Sequence, residues 1–370
     1  MVAGRDLLAS AGFEFQKEGA HRVFVVTDAV VRGTGLVDRV EAGLADGGLE
    51  LAGVFDDVPQ DSSVHVVEAC AAAAREAGAD SFLAVGGGSV MDTAKVAAAL
   101  FTHGGSAREQ EGFFLMPRED DGMGRPLPIA PLACVPTTAG TGSEVSMAAV
   151  IKVPEEELKI EIADYPLFPR LAILDPESTR TLPPQIAAAT GMDAMTHAIE
   201  GYTCAQKEPL QDARSLQALR LMRDNLERAV QAGADDDDAR GQMLVAASLA
   251  INVNLGSVHA MSHPAGAQFG VPHGVANAIH LPHVIRFNAE DPATAALYAD
   301  LGELLGTDDL ALHVEDLAAG LGLPTRLSQV GVTEDGLAAL VQGAAGDGTT
   351  LLNPREVGEA DYARLYERAL

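Results

Sequence analysis

The chain has 370 residues, which is more than one hydrophobic core usually fills, so its length predicts two or three domains. Apolar residues make up 47% and charged residues 21% of the chain, and this composition excludes an intrinsically disordered protein. The net charge of −28 repels nucleic-acid phosphates and anionic lipids, so we expect neither a nucleic-acid partner nor a membrane partner.

The cysteines and the N-terminal residues predict a cytoplasmic protein. Cys70, Cys134 and Cys204 are widely spaced and form no CxxC motif, which is typical of reduced thiols in the cytosol. The first residues place Arg5 and Asp6 where a signal peptide has its apolar run. No run of about eighteen apolar residues occurs in the sequence, which therefore predicts no membrane span.

The first half of the sequence alternates strand-like and helix-like segments. Short apolar runs predict strands at 22–27, 49–55, 81–85, 129–135 and 171–174, and helical patterns lie at 35–47, 62–77 and 90–101. Strands that alternate with helices of about ten to fifteen residues indicate βαβ units and a parallel sheet. A polar insert at residues 104–125 is predicted to be a surface excursion.

The second half has a different pattern, and the change comes near Asp175 and Pro176. From residue 183 onward the sequence is rich in Ala and Leu at helical spacing and contains few β-branched runs. This pattern predicts helices at 185–203, 210–230, 238–263, 293–305 and 311–320. We therefore predict an α/β domain over residues 1–176 and an all-helical domain over residues 177–370.

Two loops in the first half have the composition of phosphate-binding loops. Residues 86–89 (GGGS) stand between a predicted strand and a predicted helix, where glycines let a diphosphate approach the backbone. Residues 136–144 (PTTAGTGSE) also follow a strand and offer four hydroxyl groups. A tight strand-to-helix turn and an ordinary Ser/Thr-rich loop are the structural alternatives. Asp28 ends the first strand, where it is expected either to bind the ribose of a dinucleotide or to cap a helix.

The second half contains a histidine cluster that suits a divalent metal. Asp193 and His197 stand at positions i and i+4 of a predicted helix, so both side chains lie on one face. One carboxylate and several imidazoles are ligands for Fe²⁺ or Zn²⁺. A charge pair within the helix and buried core histidines are the alternatives. Five of the ten histidines fall within 25 residues, with His259 and His263 at a predicted helix end, His273 in a predicted loop, and His280 and His283 after it.

Together these segments resemble the iron-containing alcohol dehydrogenase family. All four positions of the family's metal ligands are intact, which distinguishes the chain from the maleylacetate reductases, a sister branch that works without the metal. Glycerol dehydrogenases and dehydroquinate synthases share the fold, but their signatures fit less well. The resemblance rests on GGGSVMDTAK at 86–95, PTTAGTGSE at 136–144, GMDAMTHAIE at 191–200, HAMSHP at 259–264 and PHGVAN at 272–277.

The resemblance implies a Rossmann-like N-terminal domain and a helical C-terminal domain, with the active site in the cleft between them. It implies NAD and a divalent metal as cofactors, with Fe²⁺ as first choice and Zn²⁺, Mn²⁺, Co²⁺ or Ni²⁺ as alternatives. The implied metal ligands are Asp193, His197, His259 and His273, and His263 is implied to lie beside the metal as a catalytic residue without binding it. The implied cofactor-binding residues are Asp28, Gly86, Gly87, Gly88, Ser89, Asp92, Thr137, Thr138, Thr141 and Lys159.

The resemblance therefore predicts an NAD-dependent alcohol dehydrogenase that interconverts a small, primary alcohol and its aldehyde by hydride transfer. A hydroxyacid–oxoacid transhydrogenase of the same family is the first alternative. A non-catalytic metal-binding or nucleotide-binding protein is the alternative from a different functional class. The same resemblance leads us to expect a homodimer or a larger homo-oligomer.

Overall fold

The computed structural model describes residues 1–120, 122–156 and 158–370, and the chain divides into two units. The first unit comprises Met1–Thr138 and Gly142–Thr181, and the second comprises Ala139–Thr141 and Leu182–Leu370. The main crossing follows Thr181, a few residues after the predicted boundary at 176. Asp121, which belongs to the predicted polar insert, lies outside the described residues.

The first unit is built on a parallel sheet of six strands. The strands in the described residues are β1 (Val2–Ala3), β2 (Arg22–Val26), β3 (Glu50–Phe55), β4 (Ser81–Gly86), β5 (Gly112–Phe113), β6 (Leu132–Pro136), β7 (Ala148–Val153), β8 (Leu158–Ala163) and β9 (Leu171–Leu174). The order in the large sheet is β1-β9-β6-β4-β2-β3, and a separate three-stranded sheet has the order β5-β8-β7, with β7 and β8 antiparallel.

Helices cover both faces of the large sheet, and this explains why its central strands are apolar throughout. Along β4, Phe82 and Ala84 belong to one buried cluster, whereas Leu83 and Val85 belong to another, because successive side chains point to opposite faces. The helices of this unit are α1 (Ala11–Gln16), α2 (Ala29–Gly33), α3 (Leu36–Asp46), α4 (Val64–Glu76) and α5 (Gly88–His103).

The second unit is helical in the described residues apart from turns and loops, and one large apolar cluster forms its core. An α/β unit followed by a helical unit confirms the predicted fold class. Among the described residues, no helix combines the length and the apolar character needed to cross a membrane. The helices are α6 (Pro184–Thr203), α7 (Pro209–Ala232), α8 (Asp237–Ala250), α9 (Ser257–Phe269), α10 (His273–Asn288), α11 (Pro292–Leu305), α12 (Leu310–Gly320), α13 (Leu337–Ala345) and α14 (Glu359–Ala369).

The predicted single helix at 238–263 is wrong, because the structure has two helices there. The segment between α8 and α9 contains Asn252, whose φ of +63° is incompatible with a continuing helix, and Gly256, which precedes the first residue of α9. Pro264 does not end the second helix as the sequence suggested. It lies inside α9 and is buried against Gly343, so tertiary packing outweighs the cost of a proline within a helix.

The prediction that His273 lies in a loop is also wrong, because His273 is the first residue of α10. Pro272 precedes it, and a proline favours an extended conformation just before a helix begins. At Gly274, a Cβ atom would lie 2.2 Å from the backbone oxygen of Ala189, so glycine is what lets α10 pack closely against α6. This close contact brings His273 to the same part of the second unit as α6.

Candidate metal centre and nucleotide-binding loops

Three helices of the second unit bring the predicted metal ligands together. Asp193 and His197 come from α6, His259 from α9 and His273 from α10. The Nε2 atoms of His197, His259 and His273 lie 3.8, 4.0 and 3.5 Å from Oδ1 of Asp193. The ligand atoms of Asp193, His197 and His259 are within 4.8 Å of one another, and these three residues are buried. His273 lies at the more open side of the group, with 39% of its side chain exposed.

The protonation states of this group favour a cation. Burial raises the pKa of Asp193, but the charges of His197, His273 and His259 outweigh burial and lower that pKa below its usual value. Burial, followed by the charge of His197, lowers the pKa of His259 well below 6.5. A divalent metal binds a carboxylate in its ionised form and an imidazole in its neutral form, and these are the forms that the shifts of Asp193 and His259 favour.

Asn277 provides a second indication that the group suits a cation. Its amide nitrogen Nδ2 lies 2.7 Å from Oδ1 of Asp193 and 3.3 Å from the Nε2 atoms of both His259 and His273. One donor group therefore faces three acceptors that a cation would satisfy, while the buried Oδ1 of Asn277 has no hydrogen-bond partner among the described residues. The carboxylate and imidazole atoms that accept from Asn277 are therefore also suitable ligands for a divalent ion. Asn277 was not among the site residues predicted from the sequence, although its position one turn after His273 was a usable signal.

Glu200 is a further residue that the sequence analysis did not assign to the metal site. Its Oε2 lies 2.5 Å from Nδ1 of His259, and its Oε1 accepts a hydrogen bond from the backbone N–H of Val258 at 2.7 Å. Burial raises the pKa of Glu200 to about 7, against the backbone N–H groups of Gly256 and Val258. Glu200 follows His197 by three residues, so its position on the same face of α6 could have revealed it.

His263 lies beside this group, and an aspartate binds it. Its ring stacks on His273 at a centroid distance of 5.6 Å, and its Nδ1 lies 2.7 Å from Oδ2 of Asp347. The other oxygen of Asp347 accepts hydrogen bonds from the backbone and the hydroxyl of Thr349. Burial raises the pKa of Asp347, but the hydrogen bond and charge of His263 lower it to about 2. Asp347 is 84 residues from His263 in sequence, and no sequence pattern indicated their contact.

The remaining two histidines of the predicted cluster have a different role. His280 is buried in the core, where its Nδ1 lies 3.2 Å from the hydroxyl of Ser262 and its ring packs edge-on against Tyr366. Burial lowers the pKa of His280 to about 3 and that of His283 to about 4. The structure therefore brings His259, His263 and His273 together and leaves His280 in the apolar core.

The glycine loop of the first unit joins β4 to α5, as the sequence predicts. A Cβ atom at Gly86 would lie 2.6 Å from the side chain of Val90, so a larger residue does not fit there. Gly87 is the residue before α5, and its Cα faces the side chain of Thr138. The Oγ1 atom of Thr138 is buried and has no hydrogen-bond partner among the described residues, which fits a loop that binds a polar ligand. Thr137 is fixed by a 3.0 Å backbone bond to Gly86.

Ser89 and Lys159 meet through Asp61, a residue absent from the sequence-based predictions. The Ser89 hydroxyl oxygen accepts a hydrogen bond from the backbone N–H of Asp61 at 3.1 Å. The carboxylate of Asp61 lies 2.7 Å from Nζ of Lys159. The predicted cofactor residues Ser89 and Lys159 are thus brought together at the start of α5. Thr141 lies in the segment Ala139–Thr141, which belongs to the second unit.

Asp92 and Lys95 connect α5 to the end of the second loop and to the residues that follow it. The two carboxylate oxygens of Asp92 accept hydrogen bonds from the hydroxyl of Ser143 at 2.6 Å and from the backbone N–H of Val150 at 3.0 Å. Lys95 is fully buried, and its ammonium group donates to the hydroxyls of Ser143 and Ser146 and to the carbonyl of Ala148. Both side chains therefore hold protein groups in place.

Asp28 lies where β2 ends and caps the short helix α2. Its Oδ1 accepts a hydrogen bond from the backbone N–H of Val31 at 2.9 Å, which is the helix-cap alternative of the sequence analysis. Because β2 pairs in parallel with β4, Asp28 and the glycine loop share the carboxyl edge of the sheet. That edge is where open α/β sheets bind nucleotides.

Comparisons with known proteins match both units of the chain. The family model described as iron-containing alcohol dehydrogenase matches residues 1–176, and that of the family's C-terminal part matches residues 187–370. The chain is 38% identical over 381 residues to 4-hydroxybutyrate dehydrogenase of Cupriavidus necator, with 96% of this chain and 94% of that protein covered. It is 32% identical over 384 residues to NAD-dependent methanol dehydrogenase of Bacillus methanolicus, with coverage of 100% and 97%.

A solved structure supports the same assignment. The crystal structure of 1,3-propanediol oxidoreductase superposes with a TM-score of 0.92 at 34% identity, and the match covers 99% of this chain and 97% of that chain. Family model, relatives and structure all extend over both units. The chain belongs to the iron-containing alcohol dehydrogenase family.

Proposed function

We propose that this enzyme is a metal-dependent, NAD(H)-linked alcohol dehydrogenase that interconverts a small primary alcohol and its aldehyde. The convergence of three imidazole Nε2 atoms on one carboxylate oxygen of Asp193 carries the proposal. The glycine loop at 86–89 supports a dinucleotide as the second reactant. The similarity to a NAD-dependent methanol dehydrogenase supports both NAD and an alcohol substrate.

We propose Asp193, His197, His259 and His273 as the metal ligands, with Fe²⁺ as first choice. A carboxylate with three imidazoles also accepts Zn²⁺, Mn²⁺, Co²⁺ or Ni²⁺. A divalent ion bound there supplies Lewis acidity, which polarises an aldehyde carbonyl and lowers the pKa of an alcohol hydroxyl. The amide nitrogen of Asn277 faces Oδ1 of Asp193 and the Nε2 atoms of His259 and His273, and the lone pairs that it faces are those that the ion would take.

The dinucleotide is proposed to bind along the carboxyl edge of the parallel sheet. Gly86, Gly87 and Gly88 let the diphosphate approach the start of α5, where the first backbone N–H groups of a helix lack intrahelical partners. Thr138 offers its buried hydroxyl, and Asp28 is proposed to bind the adenosine ribose. The remaining proposed cofactor residues are Ser89, Asp92, Thr137, Thr141 and Lys159; Asp92 acts through Ser143.

His263 is proposed to accept the proton that leaves the alcohol. Its Nδ1 donates to Asp347, so the lone pair is on Nε2, which is the atom that holds the incoming proton. Asp347 keeps the ring in this tautomer and stabilises its charged form. The alternative is that His263 is only a packing residue at the end of a helix. His263 does not lie at a helix end, because α9 continues to Phe269.

A hydroxy acid is the second candidate substrate, and one comparison favours it. The 4-hydroxybutyrate dehydrogenase of Cupriavidus necator is 38% identical to the chain. Its name describes an alcohol that also carries a carboxylate. A hydroxyacid–oxoacid transhydrogenase would use the same kind of substrate but would need an oxoacid to regenerate bound NAD.

The test is the absorbance of NADH at 340 nm with a panel of C2 to C8 alcohols, diols and hydroxyacids, measured with Fe²⁺ under anaerobic conditions. We expect turnover with free NAD⁺ alone and higher kcat/KM for primary alcohols than for hydroxyacids. Substrate oxidation only when an oxoacid is added, measured as the hydroxyacid formed from that oxoacid because no NADH accumulates, would favour the transhydrogenase. The assay is repeated with Zn²⁺, Mn²⁺, Co²⁺ and Ni²⁺ in place of Fe²⁺. No absorbance change for any alcohol of the panel with any of these five metals would refute the proposal. Cytoplasmic location and a homodimer stay predictions.

A further inference from the structure

Three charged residues follow the ends of β2 and β3 and are backbone neighbours of Asp28. A backbone bridge joins Asp28 to Asp57, so the residues that follow β2 and β3 are neighbours. Arg32 follows Asp28 by one helical turn, and its backbone N–H donates to the carbonyl of Asp28 at 2.9 Å. The guanidinium of Arg32 donates from Nη1 to Oδ2 of Asp56 at 3.0 Å. A cationic residue therefore lies one helical turn after the proposed ribose-binding residue, and another carboxylate binds its guanidinium.

We propose that the ion pair of Arg32 and Asp56 determines dinucleotide specificity, together with Asp28. Asp28 repels the 2′-phosphate of NADP(H). Asp56 binds the guanidinium of Arg32, which would otherwise be available to bind that phosphate. This inference rests on the proposed NAD(H)-linked function and deepens it. A 2′-phosphate carries a charge of about −2, and a guanidinium binds phosphate oxygens through two parallel hydrogen bonds.

The exposure of the pair allows this role. The side chains of Arg32 and Asp56 are 45% and 44% exposed, so the pair contributes little to the stability of the fold. Arg32 can therefore leave Asp56 for a stronger anion without disturbing a core. Of the four residues, Asp28, Asp56 and Asp57 have carboxylates and Arg32 has the guanidinium, so replacing Asp28 and Asp56 leaves one charge of each sign.

The same two strands contain a matched control pair at their opposite ends. Arg22 begins β2 and Glu50 begins β3, and their side chains lie 3.3 Å apart with exposures of 46% and 64%. Replacing Glu50 by serine changes the net charge by the same amount as replacing Asp56. It removes the carboxylate partner of a guanidinium at the amino edge of the sheet, where the parallel strands begin and the proposed cofactor residues do not lie; Nη2 of Arg22 also donates to the carbonyl of Ala77.

The experiment compares NADH and NADPH binding by their intrinsic fluorescence in five proteins: wild type, Asp28→Ser, Asp56→Ser, Asp28→Ser/Asp56→Ser and Asp28→Ser/Glu50→Ser. Serine at residue 28 retains a helix cap, so α2 is preserved. We expect Asp28→Ser to lower the Kd for NADPH about tenfold, since removing one charge contact is worth about that factor. Adding Asp56→Ser should lower it about tenfold more, whereas adding Glu50→Ser should change it less than about twofold.

Asp56→Ser alone should leave the Kd for NADH within about twofold of wild type, which also reports that the site is still folded. The proposal is overturned if the Asp56→Ser change brings no gain in NADPH affinity over Asp28→Ser, or if Glu50→Ser brings the same gain. Both results would leave NADH binding, and therefore the proposed function, intact. A wild-type protein that binds neither dinucleotide would instead refute the proposed function and this inference with it.

Discussion

The Nδ1 atom of His259 lies 2.5 Å from Oε2 of Glu200, and both side chains are buried. A ring nitrogen that donates to a carboxylate carries the proton, so Nε2 of His259 presents its lone pair toward Asp193. The contact therefore determines both the tautomer and the orientation of one ligand. By contrast, Nδ1 of His197 is buried and has no hydrogen-bond partner among the described residues. Of these two imidazoles, His259 is the one that the protein holds in place.

Glu200→Gln should weaken metal binding about 10- to 100-fold, which is the usual effect of removing a carboxylate that orients a metal-binding histidine. The amide cannot stabilise the Nδ1 proton of His259 as the carboxylate does. Competition with a chromogenic chelator measures the metal Kd. Glu315→Gln on α12 is the control, because the Glu315 side chain is 41% exposed and pairs with Arg286, which is not a proposed ligand. Equal metal affinity in both variants would contradict a role for Glu200.

Asp347→Asn should lower kcat at least about tenfold while leaving one metal ion per chain, because the amide favours the wrong tautomer of His263. His263→Ala should reduce kcat by about 10²- to 10⁴-fold with the same metal content. His259→Ala is the comparison, since loss of a ligand should remove the metal itself. Elemental analysis and steady-state kinetics separate the cases. Loss of metal in His263→Ala would make His263 a ligand, and an unchanged kcat would leave it a packing residue.

Exhaustive chelation should abolish turnover while the Kd for NADH stays within about twofold. The proposed ligands are in the second unit, whereas the glycine loop is in the first. NADH fluorescence measures binding before and after chelation, and anaerobic addition of Fe²⁺ should restore activity. Other divalent ions that suit the same ligands should restore it in part. Full turnover in a protein shown by elemental analysis to be metal-free would end the metal-dependent proposal.

The pH dependence of stability can be tested at Asp80, far in sequence from the proposed ligands. Burial raises the pKa of Asp80, but the backbone N–H groups of Arg22 and His21 and the Ser81 hydroxyl outweigh burial, so its pKa is lowered. A lowered folded pKa means that the stabilisation is complete above the unfolded value of about 3.9 and is lost as the pH falls through the folded value.

Asp80→Asn should therefore reduce the free energy of unfolding by about 1 kcal/mol at pH 7, and the difference from wild type should shrink toward about pH 3. Urea unfolding at both pH values measures it. Asp46→Asn on α3 is the control, because Asp46 is exposed. A constant difference at both pH values would show that the ionised form of Asp80 is not the source of the stabilisation.

The sequence predicted those elements whose apolar pattern is continuous, and it failed where the pattern depends on tertiary contacts. β4 and α5 were predicted closely because a buried strand runs into three glycines. β7 was missed, because Ala148 and Val150 are apolar although they face outward, and this hides the alternation with Ile151 and its neighbours. The break between α8 and α9 was missed because a single left-handed residue, Asn252, leaves no periodic signal.

The candidate site divides in the same way. Asp193 and His197 were predictable from their spacing on one helix, and Glu200 was visible on the same face of α6. Asp347 was not, because only the packing of the segment after α13 brings it to His263. Contacts between residues so far apart in sequence depend on the whole fold, and one sequence does not contain their pattern.

The buried ammonium group of Lys95 has a practical consequence for studying the first unit. Reagents that methylate amines need an uncharged, accessible lysine, and burial lowers the pKa of Lys95 while closing it off from solvent. Its three acceptors on Ser143, Ser146 and Ala148 must separate before a reagent can reach it. The rate at which Lys95 is labelled therefore measures how often the contact between α5 and residues 143–148 opens, without any engineered probe.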